Sequence, residues 1–212
     1  MRIGLLAMAA ALGLVACAPA GPSVASADSA QQRLNDTTRR LLLTPDRATD
    51  WATLPLPGKR FVAFEPVELN AVPALRVRAD ESVSILRQRF AAPLSGRQRL
   101  SFQWRIDGLP HDADLAVADR SDSPVGVLLA FDGDRTTWSA RDHRMSELTR
   151  LLTGEELPYA TLAYVWSDAA PVGTVVVNPR SSRIRKLVLD SGMVDVGRWR
   201  LHERDVHADF RQ

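Results

Sequence analysis

A chain of 212 residues with one cysteine, 27 basic and 25 acidic residues is long enough for one large domain and cannot be held by disulfides. The formal net charge of +2 includes Arg2 at the extreme N-terminus, so the rest is close to neutral. Its basic residues are almost all arginines, spread among carboxylates. No basic stripe with interleaved aromatics occurs, which excludes nucleic acid as the expected partner.

Met1-Arg2 precedes an apolar run from Ile3 to Val15. A basic start and an apolar stretch of that length read as an export signal. The run is too short to span a bilayer, which takes roughly 20 apolar residues. Ala18-Pro19-Ala20-Gly21-Pro22 follows and would stop a helix. Leu14-Val15-Ala16-Cys17 resembles the bacterial lipobox, in which the cysteine thiol carries a diacylglyceryl group. Lipidation also explains a lone thiol in an exported chain. The expected mature chain starts at Cys17 and is held to a membrane by several acyl chains, because one alone anchors weakly. Ala18 stands where an aspartate would favour inner-membrane retention, so the expected location is the outer membrane, facing the periplasm.

Residues 17–27 read as a lipidated tether of small residues and prolines. Ser29 to Leu43 is a candidate amphipathic helix, ended by Thr44-Pro45-Asp46. A single domain is expected over 28–212. From Trp51 onward the pattern turns to β, with short apolar segments at Phe61–Phe64 and Val67–Leu69. Leu75–Ala79 alternates apolar and polar residues, as a half-buried strand does, and Val83–Phe90 does so in part. Leu100–Asp107 alternates most cleanly and puts Leu100, Phe102, Trp104 and Ile106 on one face. Val125–Phe131 is nearly continuous and predicts a central strand buried on both faces. Met145–Leu152 has helical spacing and is stopped by Gly154. Strands follow at Leu162–Trp166, Thr174–Val177, Ile184–Leu189 and Val196–Glu203. About nine short strands and one inserted helix predict an antiparallel β-sandwich. Trp104 and Trp166 are expected in its core.

Three places carry candidate chemistry. The loop His111-Asp112-Ala113-Asp114-Leu115-Ala116-Val117-Ala118-Asp119-Arg120-Ser121-Asp122 concentrates carboxylates. Calcium takes oxygen ligands that such a loop can supply, with His111, Asp112 and Asp114 as the metal candidates. The spacing does not fit an EF-hand, and a solvated connection between strands is the plainer reading. Asp132, Asp134 and Asp142 around Trp138 could bind a sugar, the indole stacking on a ring. The plainer reading is a hairpin turn at Asp132-Gly133-Asp134. The C-terminal run His202-Glu203-Arg204-Asp205, with His207 and Asp209, could titrate or ligate. On a regular strand its two histidines would face opposite sides, which disfavours one shared metal. There is no Gly-x-Ser-x-Gly elbow, glycine-rich phosphate loop or His-Glu-x-x-His.

Leu157-Pro158-Tyr159-Ala160-Thr161-Leu162-Ala163-Tyr164-Val165-Trp166 resembles a signature of the bacterial DUF3047 family. Ala170–Thr174, Asn178-Pro179, Val188–Gly192, Val196–Trp199 and Glu203–Arg211 resemble its later segments. Gln103–Ile106 and Val127–Gly133 resemble two of its strands, and the likeness runs from about Trp51 to Arg211. The chain departs from the family at Ser121–Gly126, which carries one aspartate and no arginine where relatives have paired aspartates and an arginine. The resemblance implies an exported β-rich domain of unassigned function, with a jelly-roll like that of carbohydrate-binding modules. That analogy concerns fold and settles no activity.

The leading expectation is a non-catalytic, membrane-anchored module that binds a ligand, a glycan being the favoured class, through Asp119, Asp122, Asp132, Asp134 and Trp138. No cofactor is required, calcium in the acidic loop aside. One alternative is an envelope hydrolase or lyase using Asp119 and Asp122 with His111 or His143, since paired carboxylates can divide acid and base roles. The other is a structural protein whose partner is another envelope protein.

Overall fold

The computed structural model describes residues 42–56, 58–90, 92–94 and 98–212. The chain divides into Met1–Leu42 and Leu43–Gln212, and the second unit is the one described here. The expected signal, Cys17, the tether and all of the first candidate helix but Leu42 and Leu43 lie outside the described residues. Among the described residues no helix is long and apolar enough to cross a membrane.

The domain is mainly β. Its described strands are β1 (Ala52–Pro55), β2 (Glu65–Leu69), β3 (Val72–Arg76), β4 (Ser84–Arg87), β5 (Arg99–Trp104), β6 (Gly126–Phe131), β7 (Ala160–Ser167), β8 (Val175–Val177), β9 (Ile184–Ser191) and β10 (Arg200–Asp205). Two α-helices accompany them, α1 (Ala140–Thr153) and α2 (Val206–Phe210). The largest sheet runs β6-β7-β9-β8, and β5–β10, β1–β4 and β2–β3 form two-stranded ribbons. These sheets stay open and separate.

Two expectations need correction. The sheet is mixed rather than antiparallel, because β7 and β9 pair in parallel while β6 and β8 flank them antiparallel. The continuous apolar segment Val125–Phe131 forms β6, which is an edge strand with Leu128 half exposed. The buried centre is β7 and β9. Leu162, Tyr164 and Trp166 of β7 join Leu187 and Leu189 of β9 on one face, with Trp104 and Ile106 from β5 and the residues after it. Ala163, Val165 and Val188 lie in a second cluster on the other face, capped by Leu115. Strands buried on both faces carry unbroken apolar runs; β7 does so from Leu162 to Trp166, whereas β9 keeps only Leu187–Leu189 apolar between buried Lys186 and Asp190.

The parallel register slips between Val165 and Trp166, so that Val165 faces Val188 but Trp166 faces Asp190. A bulge places two residues of one strand opposite one of its partner and re-aims a side chain. Here Leu189 and Asp190 both address the side where Trp104 sits.

Local chemistry sets the other elements. Helix α1 starts at Ser139, whose hydroxyl accepts from the Asp142 N–H at 3.1 Å, and ends at Gly154 with φ of 78°. The β2–β3 hairpin turns through Asn70 and Ala71, with φ of 53° and 61°. Both central residues of a type I′ turn need positive φ. At Ala71 this costs about 1 kcal/mol. Strand β4 is tied to the turn after α1 by Glu155, whose carboxylate receives both terminal nitrogens of Arg87 at 2.5 Å and one of Arg89 at 2.7 Å.

Hydrogen bonding from Arg87 pulls the Glu155 carboxyl down to about 2 from an ordinary 4.5. A depressed folded pKa adds stability that is present above the unfolded value and is lost as pH falls through the folded one. Glu155→Gln should therefore lower the urea midpoint at neutral pH. The gap from wild type should close between pH 4.5 and about 2. A gap that is unchanged at low pH would refute this role.

Candidate functional site

Strand β10 is inverted relative to an ordinary half-buried strand. Arg200, His202 and Arg204 lie partly buried, while Leu201 is 66% exposed. Register explains the inward arrangement, since these three face Trp104, Phe102 and Leu100 of β5. A row of polar groups entering an apolar layer must be partnered. Two aspartates do this.

Asp190 is 3% exposed. Its Oδ2 accepts from the Trp104 indole N–H at 2.6 Å and lies 2.8 Å from His202 Nε2. Its Oδ1 accepts from Arg200 Nε at 3.0 Å. Arg200 also reaches Asp195 at 3.2 Å. The His202 ring packs edge-on to Trp104, centroids 5.0 Å apart. Asp209, on α2, receives Arg204 in bidentate fashion at 2.9 and 2.6 Å and the Tyr164 hydroxyl at 2.8 Å. Burial, reinforced by the Asp209 carboxylate, pushes the Tyr164 phenol above its ordinary range. Each carboxylate takes three donors, so little capacity remains for a substrate proton. These are clasps between layers. His207 lies on α2, apart from the Asp190 cluster around His202.

The acidic loop is a largely exposed connection between strands that is pinned at a few points. Leu115 is 3% exposed and fills the second apolar cluster. The Asp114 N–H donates to the Arg120 carbonyl at 2.8 Å, and the Asp114 carboxylate accepts from the Ala116 N–H at 2.9 Å. Buried Lys186 donates from β9 to the Ser121 carbonyl and hydroxyl at 2.8 and 2.6 Å. Burial lowers the pKa of this ammonium. Between this loop and the residues after β7 runs an open groove of about 420 Å³. It is lined by Asp112, Ala113, Asp114, Leu115 and Arg120 on one side and by Ser167, Asp168, Ala169 and Ala170 on the other. Asp112 holds a φ of 53° there.

Among the other predicted residues, His111 and Asp122 are exposed. Asp119 is exposed and pairs with Arg180 at 3.3 Å. Among the described residues, no group of three or more His, Cys, Asp or Glu is placed to hold a metal ion, so the calcium reading of His111, Asp112 and Asp114 gains no geometric support.

Asp132 and Asp134 do not form a hairpin turn, because α1 intervenes before β7. Asp132 accepts from Arg135 at 2.6 Å, and that hydrogen bond lowers its pKa. Asp134 caps a short 3-10 turn through Thr136, which lowers its pKa likewise. A side chain on Gly133 would meet the Tyr159 ring at 2.7 Å, so glycine is required by this close approach.

Trp138 is 7% exposed and offers no open face for a sugar ring. The Arg135 and Arg183 guanidinium groups lie 5.4 and 5.2 Å from its ring centre, and Tyr159 stacks nearby at 6.5 Å. The cation–π attraction of two guanidinium groups and apolar burial hold it inside. Trp138 does not line the groove of the acidic loop.

Asp190, Tyr164, Lys186 and Asp168 were not among the predicted site residues. A charge at the end of an apolar run, as in Val188-Leu189-Asp190, was the available signal for the first. Asp190→Ala should cost about 3–5 kcal/mol, since it strands an indole, an imidazole and a guanidinium. Asp209→Ala should cost about 3 kcal/mol, the partial exposure of Arg204 softening the loss. Urea unfolding of both variants checks this, and losses under about 1 kcal/mol would refute the clasp reading.

No curated protein and no solved structure matches the chain. The family model described as "Protein of unknown function (DUF3047)" matches residues 49–212, which takes in β1 to α2 and both aspartate clasps. The chain belongs to the DUF3047 family.

Proposed function

We propose that this chain is a lipid-anchored envelope protein of the outer membrane whose β-rich domain binds a ligand without transforming it. The carrying observation is the open groove between the acidic loop and the end of β7, lined by Asp112, Asp114 and Arg120 on one side and by Asp168 on the other. Carboxylates accept from hydroxyls and a guanidinium donates to ring or carbonyl oxygens. A hydroxyl-rich ligand such as a glycan suits that set. The buried carboxylates Asp190 and Asp209 are saturated by internal donors, which favours binding over acid–base work. The hydrolase alternative has weaker support, because Asp119 is spent on a surface ion pair.

We read the β5–β10 ribbon over the four-stranded sheet as an open β-sandwich of the carbohydrate-binding type. Trp104, packed with Trp166 and Leu187, is the contact that supports this reading. In this reading the ligand lies at the strand ends, on the acidic loop, and Trp138 serves as a structural residue.

A glycan array probed with the purified chain tests the binding. Retention of an acidic-groove ligand should fall about tenfold or more in Asp112→Ala/Asp168→Ala, given 1.4 kcal/mol per tenfold. No retention of any glycan, or retention indifferent to both substitutions, would overturn the groove assignment.

The anchor rests on Leu14-Val15-Ala16-Cys17. Cells fed labelled palmitate should label the wild-type chain and leave Cys17→Ala unlabelled. Equal labelling of the two would refute lipidation at Cys17.

A further inference from the structure

Helix α1 is built inside out. Its inward side is polar: Ser146 is 6% exposed and accepts from the Leu157 N–H at 3.2 Å. Thr149 and Thr153 turn their hydroxyls back to the helix carbonyls four residues earlier, at 2.8 and 2.7 Å. Asp142 on the same side meets Arg183 at 3.5 Å. Its outward side carries Met145, Leu148, Leu151 and Leu152, of which Leu151 is 79% and Leu152 63% exposed. At 100° per residue these four share an arc of roughly 120°. A surface helix ordinarily turns such a stripe to the core.

The charges near the stripe are mainly positive. Arg141 and Arg144 continue the same side towards the N-terminus, and both are exposed. The Asp142 carboxylate is engaged by Ser139 and Arg183, which leaves Glu147 as the exposed acid of the helix. A helix with leucines beside arginines is the form that lies in a lipid interface, where apolar side chains enter the acyl boundary and cations meet phosphates.

We propose that α1 docks on an anionic phospholipid bilayer through Met145, Leu148, Leu151 and Leu152, with Arg141 and Arg144 on the headgroup phosphates. This extends the membrane-tether reading but uses none of its residues, so the two can fail separately.

Hydrogen exchange on the full chain tests it, with and without vesicles of phosphatidylglycerol and phosphatidylcholine. Amides of 140–153 should exchange more slowly on these vesicles, on the order of threefold. That protection should vanish in Leu148→Gln/Leu151→Gln and weaken in Arg141→Gln/Arg144→Gln. The leucines and arginines are exposed, and unchanged exchange across β7 and β9 certifies that each variant is folded. Vesicle-bound chain with no protection of 140–153 overturns the docking and leaves the Cys17 anchor standing. Equal protection on pure phosphatidylcholine overturns the anionic requirement. Protection that follows protein concentration without vesicles assigns the face to self-association and overturns the proposal.

Discussion

The fold depends on one buried carboxylate. Asp190 sits where the β9 bulge turns it towards Trp104, His202 and Arg200. Moving a carboxylate from water into a dry layer costs several kcal/mol even after relaxation. That cost is offset only when partners are in place and every acceptor is used. The three donors come from β5 and β10, so the ribbon can close on the sheet only in the one register that brings Trp104 opposite Arg200. A slip of one residue would present Leu201 and Gln103 to the carboxylate instead. Apolar packing brings the layers together, and Asp190 selects how. Asp209 repeats the device at the far end of β10, binding Arg204 and Tyr164 from the short helix α2.

This dependence explains what could be read from the chain and what could not. Alternation in Leu100–Asp107 gave β5 and its inward face, because an apolar partner layer waits there. An unbroken apolar run gave β7, because both faces of that strand are covered, while β9 was legible from partial alternation in Ile184–Leu189. The same rule misplaced β6: Val125–Phe131 is nearly as apolar, yet it pairs on one side only and leaves Leu128 to solvent. Periodicity measures hydrophobicity, and an edge position is a property of the whole sheet. Strand β10 was legible as a strand and illegible in orientation, since its inward side is arginine and histidine. Only partners distant in the chain, Asp190 and Asp209, make that side the buried one. Strand β1 escaped notice because it is short and pairs with β4, thirty-odd residues away, as the register Ala52 to Arg87 records.

The candidate site was legible in part for the same reason. The density of aspartates marked the acidic loop, and Asp112 and Asp114 do line a groove. What the residue types could not convey was that Leu115 anchors the loop and that Lys186 holds Ser121 from beneath. Nor could they supply Asp168, which reaches the groove from the end of β7. Trp138 is the converse case. Its neighbours are charged, which suggested a displayed ring, but two of those charges are guanidinium groups that pack on its faces and close it off.

Elements built against their pattern thus fall into two kinds. In β10 the inverted side is answered inside the molecule, by carboxylates. In α1 it is not answered among the described residues, and the leucines look outward. The two ends of β7 relate this face to the groove. Helix α1 enters β7 at Ala160, whereas the groove lies beyond Ser167, about 23 Å further on at 3.3 Å per residue. The carboxylates of Asp112, Asp114 and Asp168 would be repelled by anionic lipid at close range, and a separation of more than two Debye lengths at physiological salt, each about 8 Å, removes that penalty.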